Sequence, residues 1–146
     1  MSLLKVKKLR EDAQLPSRAT QGSAGYDLYA CLDREITVAA GETVKIPTGI
    51  AIELESSGFA AFVFARSSMG TKHSVIPANA VGVIDSDYRG EVCVFLKNYS
   101  QTDYMVQPQD RVAQLIILPV ELPQLEEVDE LSDTQRGDGG FGSTGK

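Results

Sequence analysis

Residues 58–65 read GFAAFVFA and residues 91–97 read EVCVFLK. Both runs are apolar on two faces and rich in β-branched or aromatic side chains, which is typical of strands enclosed in a sandwich. Residues 50–54 (IAIEL) instead alternate large apolar side chains with alanine and glutamate, the pattern of a half-buried strand. Glycines separate such runs at short intervals. The sequence therefore predicts about ten short strands in an all-β sandwich or jelly roll.

One short helix is predicted at residues 67–73, where hydroxyl side chains at its start could cap it. From residue 121 the sequence becomes acidic (ELPQLEEVDELSDTQ) and then glycine-rich (RGDGGFGSTGK). These segments have too little apolar surface to fold alone. We therefore expect a β domain over residues 1–120, an arm over 121–135 and a mobile tail over 136–146.

The charge balance excludes several classes of partner. The 146 residues carry 14 Lys and Arg against 20 Asp and Glu, a net charge of −6. A surface for nucleic acid or for an anionic membrane would need a basic patch, so we expect neither partner. No apolar run approaches the ~20 residues of a membrane span, and the N-terminus shows no secretion signal. We therefore expect a cytoplasmic protein.

The cysteine and histidine content restricts the chemistry. Cys31 and Cys93 form no Cys-x-x-Cys pair, so we expect reduced core thiols and neither a disulfide nor a zinc site. The single histidine, His73, has no nucleophile motif around it, and we expect it to be solvated. Any reaction must then use carboxylates, hydroxyls, backbone amides and a hard metal ion.

Polar residues interrupt the apolar pattern in five segments. In the first, Asp27 lies within an apolar strand, where an acid must either be paired or cap a turn. In the second, residues 66–70 (RSSMG) open the short helix, which favours an anion site or an ordinary N-cap. In the third, residues 82–91 (GVIDSDYRGE) place Asp85 beside an apolar pair, which a hairpin of solvated charges explains poorly.

The last two segments lie nearer the C-terminus. Gln114 is the only polar side chain in the apolar strand 112–118, so it needs a hydrogen-bond partner, either structural or a ligand. Residues 136–145 (RGDGGFGSTG) combine an arginine, an aromatic ring and two hydroxyls with glycines. That composition suits a loop that closes over phosphates and a base, although glycine-rich tails are usually linkers.

Together, in this order and spacing, the five segments resemble the five motifs of the homotrimeric dUTP diphosphatases (dUTPases), over residues 4–145. GVIDSDYRGE and RGDGGFGSTG are the most specific. The resemblance implies a jelly-roll-like β-barrel or sandwich, a homotrimer with an exchanged C-terminal arm, and Mg²⁺ as cofactor. The implied reaction is hydrolysis of dUTP to dUMP and pyrophosphate, which keeps uracil out of DNA and supplies dUMP for thymidylate synthesis.

The resemblance also implies individual roles. Asp85 matches the general base that activates water at the α-phosphorus, and Tyr88 matches the ring beneath the deoxyribose. Asn79, in a hairpin, and the backbone at Gly82 would read the uracil edge. Asp27 would hold waters of the Mg²⁺. The other implied substrate-binding residues are Arg66, Ser67, Ser68, Gln114, Arg136, Phe141, Gly142, Ser143 and Thr144.

Family members build each site from three chains, and this chain fits such an arrangement. Its runs 91–97 and 111–118 are apolar on both faces, more than one small sandwich needs, and the arm at 121–131 has nothing local to pack on. The resemblance assigns the Asp27, Ser67 and Gln114 group to one chain, the Asp85 group to a second and the tail to a third.

Two residues depart from the family pattern, since Ser68 and Gln109 stand where glycines are usual. Ser68 also fits dCTP deaminase, which shares the fold and an Arg-Ser-Ser second motif. The general-base glutamate of that enzyme would be expected just before Asn98, where this chain has the apolar residues 94–96. The other alternative is a non-catalytic jelly-roll interaction module, against which the complete set of chemically active residues argues.

Overall fold

The computed structural model describes residues 3–140, and in them eleven strands and one helix occur. The helix, α1, spans Ser67–His73. The predicted all-β class with one short helix is confirmed. The strands in chain order are β1 (Lys5–Lys8), β2 (Tyr26–Tyr29), β3 (Ile36–Val38), β4 (Thr43–Pro47), β5 (Ile50–Glu53), β6 (Phe59–Phe64), β7 (Val75–Pro77), β8 (Gly82–Ile84), β9 (Cys93–Asn98), β10 (Tyr104–Val106) and β11 (Arg111–Pro119).

Antiparallel pairing joins these strands into four sheets. The largest has the order β2-β11-β6-β8, the next has the order β4-β9-β7, and two pairs, β1-β5 and β10-β3, complete the fold. The core is built from side chains of several sheets, among them Leu28 and Leu115 of the largest and Ile46 and Leu96 of the three-stranded one. Each such fully buried side chain stabilises the fold by about 1.5–3 kcal/mol.

A β-bulge in β11 prepares the site. The register of β11 against β2 shifts between Arg111 and Ala113, so Val112 and Ala113 are both buried although they are consecutive. Because a bulge re-aims the residues beside it, Arg111 and Gln114 line the same cavity at the surface. The apolar run thus carries two polar side chains to one place without interrupting the core.

Burial differs from the sequence prediction in three strands. β5 was expected to be half-buried, but Ala51 is also buried because β1 pairs alongside. Conversely, β6 and β9 were expected to be enclosed on both faces. Their outer faces are only partly covered within one chain, and Phe95 of β9 is 49% exposed. The apolar outer faces therefore exceed what this chain itself can bury.

The start of α1 also differs from the prediction. Arg66, not a hydroxyl residue, is the N-cap, and no side-chain capping bond forms there. Ser67 is already the first helical residue, so its hydroxyl lies past the position from which a cap accepts from the first turn. The predicted hydroxyl cap is wrong.

The cysteines and the histidine behave largely as predicted. Cys31 is buried, Cys93 is half-buried, and neither forms a disulfide. His73 is exposed and packs against the ring of Tyr104, with 5.1 Å between the ring centroids. Within residues 3–140, no helix has the length and apolar character that crossing a membrane requires.

The chain leaves the β domain after β11. Residues 121–140 form neither strand nor helix, and residues 121–138 are all exposed. Four apolar side chains stand uncovered on this segment, with Leu125 99% exposed: Leu122, Leu125, Val128 and Leu131. The division into residues 1–120, 121–135 and 136–146 stays a prediction.

Candidate active site

A first cavity of about 260 Å³ lies beside β8 and is mainly apolar. It contains the predicted residues Asn79, Gly82, Asp85 and Tyr88. Sequence reasoning did not assign the remaining walls, which come from strands β6, β7, β8 and β9 and from the two residues before β9: Val63, Pro77, Val83, Ile84, Glu91, Val92, Cys93, Val94 and Phe95. The size and the mixture of apolar walls with a few polar groups suit a small flat ligand.

The turn over residues 78–81 holds Asn79 at this cavity. The N–H of Val81 donates to the carbonyl of Asn79 at 2.7 Å, and Ala80 has a φ of 60°. A non-glycine residue in this left-handed region costs roughly 1 kcal/mol or more, so the turn is locally strained. A Cβ on Gly82 would lie 3.4 Å from Nδ2 of Asn79, which places the amide beside that backbone. Side-chain amide and main chain therefore converge on one part of the cavity.

The predicted hairpin around Asn79 is not present. β7 pairs with β9, whereas β8 pairs with β6, so residues 78–81 connect two sheets. The resemblance implied a hairpin here, but each of the two flanking strands pairs with a longer strand instead.

A second turn carries Asp85 and Tyr88 together. The N–H of Tyr88 donates to the carbonyl of Asp85 at 3.2 Å, and the Tyr88 hydroxyl donates to the carbonyl of Glu91 at 3.1 Å. Nη1 of Arg89 donates to the carbonyl oxygens of Ser86 (2.8 Å) and Tyr88 (3.0 Å). Asp85 is exposed, so its carboxylate can reach a water molecule at the cavity mouth.

The thiol in this cavity is poorly suited to nucleophilic attack. Burial, and secondarily the Glu91 carboxylate, raise the pKa of the Cys93 thiol above its usual value. A raised pKa keeps the thiol protonated, and only the thiolate is a good nucleophile. Attack by a water molecule is therefore better supported than attack by a side chain.

A second cavity of about 350 Å³ lies on the other side of the largest sheet, around β2, β11 and the start of α1. It brings together four predicted residues, Asp27, Arg66, Ser67 and Gln114. It also contains Arg111, which sequence reasoning did not assign to the site although the Asp-Arg pair before an apolar strand offered a signal. The remaining wall is Ala19, Ser23, Ala24 and Gly25.

Asp27 is held by two arginines. Its Oδ1 accepts from Nε of Arg66 at 2.9 Å, and its Oδ2 accepts from Nη1 of Arg111 at 3.3 Å. The Asp27 side chain is only 15% exposed, so the pairing offsets the cost of desolvating a carboxylate. Because Asp27 lies within β2, the alternative of a turn-capping aspartate is wrong. Two guanidinium groups share one carboxylate, which leaves a net positive charge to attract an anion in this acidic protein.

Gln114 has a structural partner. Its Nε2 donates to the carbonyl of Ala65 at 2.9 Å and so ties β11 to the residue just before Arg66. Its Oε1 approaches Gly25 so closely that a Cβ there would overlap it. Gly25 is thus required by close approach, and Gln114 fixes the segment that leads into Ser67.

Ser68 does not join this cavity. It lines a separate cavity of about 180 Å³ with His73 and Tyr104. Burial, and secondarily Asp110, raise the pKa of the Tyr104 phenol above its usual value. Arg66 and Arg111 line both this cavity and the second one, so Ser68 lies next to the second cavity without lining it. The predicted contact of Ser68 with substrate stays a prediction.

The two cavities are far apart in one chain. Asp27 of β2 pairs with Gln114 of β11, which pairs in turn with Phe64 of β6. Asp85 follows Ile84 of β8, which pairs with Ala61 of β6, three residues before Phe64. The backbone positions of the two residues are therefore three strand spacings apart across the sheet and about four residues apart along it, roughly 19 Å in all. None of residues 3–140 lines both the first and the second cavity. One chain cannot bring Asp85 to a ligand group held by Asp27.

The described part of the tail, residues 136–140, lines neither cavity. Nε of Arg136 donates to the carbonyl of Gly139 at 2.8 Å, and Arg136 lines neither cavity. Phe141, Gly142, Ser143 and Thr144 lie outside the described residues.

The side chains around the second cavity offer a metal ion few protein ligands. In residues 3–140, no group of three or more His, Cys, Asp or Glu side chains is close enough to hold one. Among the described residues, Asp27 is the one carboxylate of the second cavity. This arrangement fits Mg²⁺, which keeps several waters and takes few protein ligands when a substrate supplies phosphates.

Comparisons with known proteins agree with this geometry. A family model described as dUTPase matches residues 11–145. A deoxyuridine 5'-triphosphate nucleotidohydrolase from Polynucleobacter necessarius is 48% identical, over 100% of this chain and 99% of that protein. One from Desulfitobacterium hafniense is 50% identical, over 97% and 95%. The solved dUTPase of Staphylococcus bacteriophage 80alpha with dUpNHpp superimposes with a TM-score of 0.89 at 26% identity, covering 99% of both chains.

Proposed function

This chain belongs to the dUTPase family, and we propose that it hydrolyses dUTP in a site whose two halves are the two cavities. As a member of the family it is a hydrolase that converts dUTP to dUMP and pyrophosphate. One turn holds Asp85 and Tyr88 together beside the mainly apolar cavity, and the assignment of the two halves rests on this observation.

The first cavity takes the deoxyuridine. The Asn79 amide and the backbone at Gly82 face the uracil edge, and Tyr88 lies beneath the deoxyribose. A cytosine would leave a hydrogen-bonding group unpaired, and a thymine would need room for its methyl group. Rejection through an unpaired buried polar group is stronger than rejection by one methyl group, so cytosine is the better excluded base.

The second cavity takes the triphosphate. The shared charge of Arg66 and Arg111 draws the anion, and Ser67 offers a hydroxyl to a bridging oxygen. The family implies Mg²⁺ as cofactor. Asp27 would hold water molecules of this ion, which when bound would neutralise charge on the phosphates. Asp85 accepts a proton from a water molecule whose oxygen attacks the α-phosphorus. The bond to the bridging oxygen breaks, and pyrophosphate leaves.

A homotrimer supplies both halves at once. Asp27 and Asp85, roughly 19 Å apart in one chain, must come from different copies if they serve the same substrate. The exposed apolar side chains support this, because they include Phe95 and Val83 on the β domain and four more on the arm. In the proposed trimer a third copy contributes its tail, with Arg136 on the γ-phosphate, Phe141 on the uracil, and Gly142, Ser143 and Thr144 around the phosphates. We place this enzyme in the cytoplasm, with no nucleic acid or membrane partner.

The test is pyrophosphate release from dUTP, UTP, dCTP and dTTP, with light scattering on the same sample. We expect turnover of dUTP alone, at three times the chain mass of 15.8 kDa. Release of ammonia from dCTP would indicate a deaminase instead, and no turnover of any nucleotide would indicate an interaction module. An active monomer would contradict the shared site.

A further inference from the structure

The ring of Tyr88 lies directly against the backbone of Gly90. A Cβ built on Gly90 would lie 2.5 Å from Cζ and 3.0 Å from Cε2 of Tyr88, and it would overlap the hydroxyl oxygen. The φ of Gly90 is not in the left-handed region, so the backbone conformation does not require glycine here. The neighbouring ring does.

This contact determines where the ring stands. The Tyr88 hydroxyl donates to the carbonyl of Glu91 at 3.1 Å, one residue beyond Gly90. Oε1 of Glu91 accepts from the N–H of Gly49 at 2.8 Å, and this bond anchors Glu91 to the turn before β5. The ring therefore lies across a short piece of fixed backbone and reaches its hydrogen bond only because Gly90 has no side chain.

We infer that Gly90 is a positioning residue for sugar discrimination, acting through Tyr88; this rests on the proposed function. The ring can exclude a 2′-hydroxyl only if it stands at a fixed depth in the cavity. A methyl group on Gly90 displaces the ring and breaks its hydrogen bond to Glu91. Tyr88 is 46% exposed, so the ring can move into solvent and the fold survives. A methyl group on Gly90 therefore lowers the preference for dUTP over UTP and not the free energy of unfolding.

The first experiment measures kcat/KM for dUTP and UTP in wild type and Gly90→Ala. We expect the dUTP preference to fall about tenfold or more, the scale on which the shape of a pocket discriminates one small group on a substrate. Gly58→Ala is the matched control, because a Cβ on Gly58 would meet only Oγ of Ser56 at an ordinary 3.6 Å. The control should keep the preference. A folded Gly90→Ala protein with an unchanged preference would overturn the inference.

A double-mutant cycle separates positioning from a general structural effect. In the Tyr88→Ala background there is no ring to displace, so adding Gly90→Ala should leave the already reduced preference unchanged. A further loss as large as in wild type would show that Gly90 acts by another route, and the inference would be wrong.

A third variant applies even if Gly90→Ala does not fold. Tyr88→Phe keeps the ring and removes only the hydrogen bond to Glu91, and we expect about a threefold to tenfold loss of preference, the scale of one neutral hydrogen bond. An unchanged preference would overturn the inference. Failure of the proposed function looks different, because wild type would then not turn over dUTP at all, or Tyr88→Ala would keep full preference.

Discussion

Mixing two inactive variants tests whether the site is shared. The backbone positions of Asp27 and Asp85 are roughly 19 Å apart in one chain, so each site should take the two carboxylates from two different copies. Asp27→Asn and Asp85→Asn homotrimers should each be nearly inactive, because every site in them lacks one carboxylate. Mixed trimers differ, since some sites draw both intact residues from different chains.

The size of the recovery follows from symmetry. With equal amounts and random exchange, the chain giving Asp27 is intact in half of the sites, and the chain giving Asp85 is independently intact in half. About one quarter of the sites are then complete, so the mixture should regain roughly 25% of wild-type activity.

The assay is pyrophosphate release from dUTP after the two variants are unfolded and refolded together. Native mass spectrometry verifies that mixed trimers have formed, and a mixture prepared without exchange is the control. Activity that stays at the level of the parents, in a sample that contains mixed trimers, would refute the shared site.

Four further results are expected. Asp85→Asn should keep dUTP binding while kcat falls by about 10²–10⁴-fold, because an amide cannot accept the proton of the water, and near-normal kcat would assign the base elsewhere. Deleting residues 136–146 should leave the fold intact and nearly abolish turnover, and full activity in the truncated protein would exclude a substrate-closing tail. Gln109→Gly should raise the free energy of unfolding by about 1 kcal/mol in urea denaturation, because Gln109 has a φ of 68° and a buried Oε1 without a partner among the described residues. A lower free energy of unfolding would show that the hydrogen bond from Gln109 to the carbonyl of Asp12 outweighs the strain. The hydrogen bond from Arg10 lowers the pKa of Asp12, so this interaction stabilises the fold above the ordinary carboxyl pKa and is lost as the pH falls through the lowered pKa. Asp12→Asn should therefore reduce the free energy of unfolding more at pH 7 than at pH 2, and an equal reduction at both would contradict this.

Much of the fold could be predicted because local patterns determine it. The strands within 58–65 and 91–97 follow from their apolar pattern and side-chain shape, and the helix over residues 67–73 forms where it was predicted although the hydroxyl cap that suggested it is absent. β1 was not predicted, because its sequence KVKK has no apolar pattern, and it forms only by pairing with β5. Its charged side chains suit an edge strand, where they oppose unwanted pairing.

The candidate site was predictable in its residues but not in its arrangement. The chemistry of Asp27 and Asp85 was visible as polar groups within apolar runs. No local pattern showed that the two residues lie apart in one chain, because their separation depends on the strand order β2-β11-β6-β8; only the family resemblance implied that they come from different chains. The role of Arg111 was missed for the same reason, since only the pairing of β11 with β2 brings it to Asp27.

The uncovered arm also has a consequence for handling the protein. Residues 121–138 offer a protease an extended backbone without regular structure, and the side chain of Leu125 is almost fully accessible. If a neighbouring copy covers that segment, cleavage there requires dissociation first, and dissociation depends on concentration by mass action. Dilution would then expose the arm, and the rate of nicking after Leu125 or Leu131 would report how much of the protein is unassembled at that concentration.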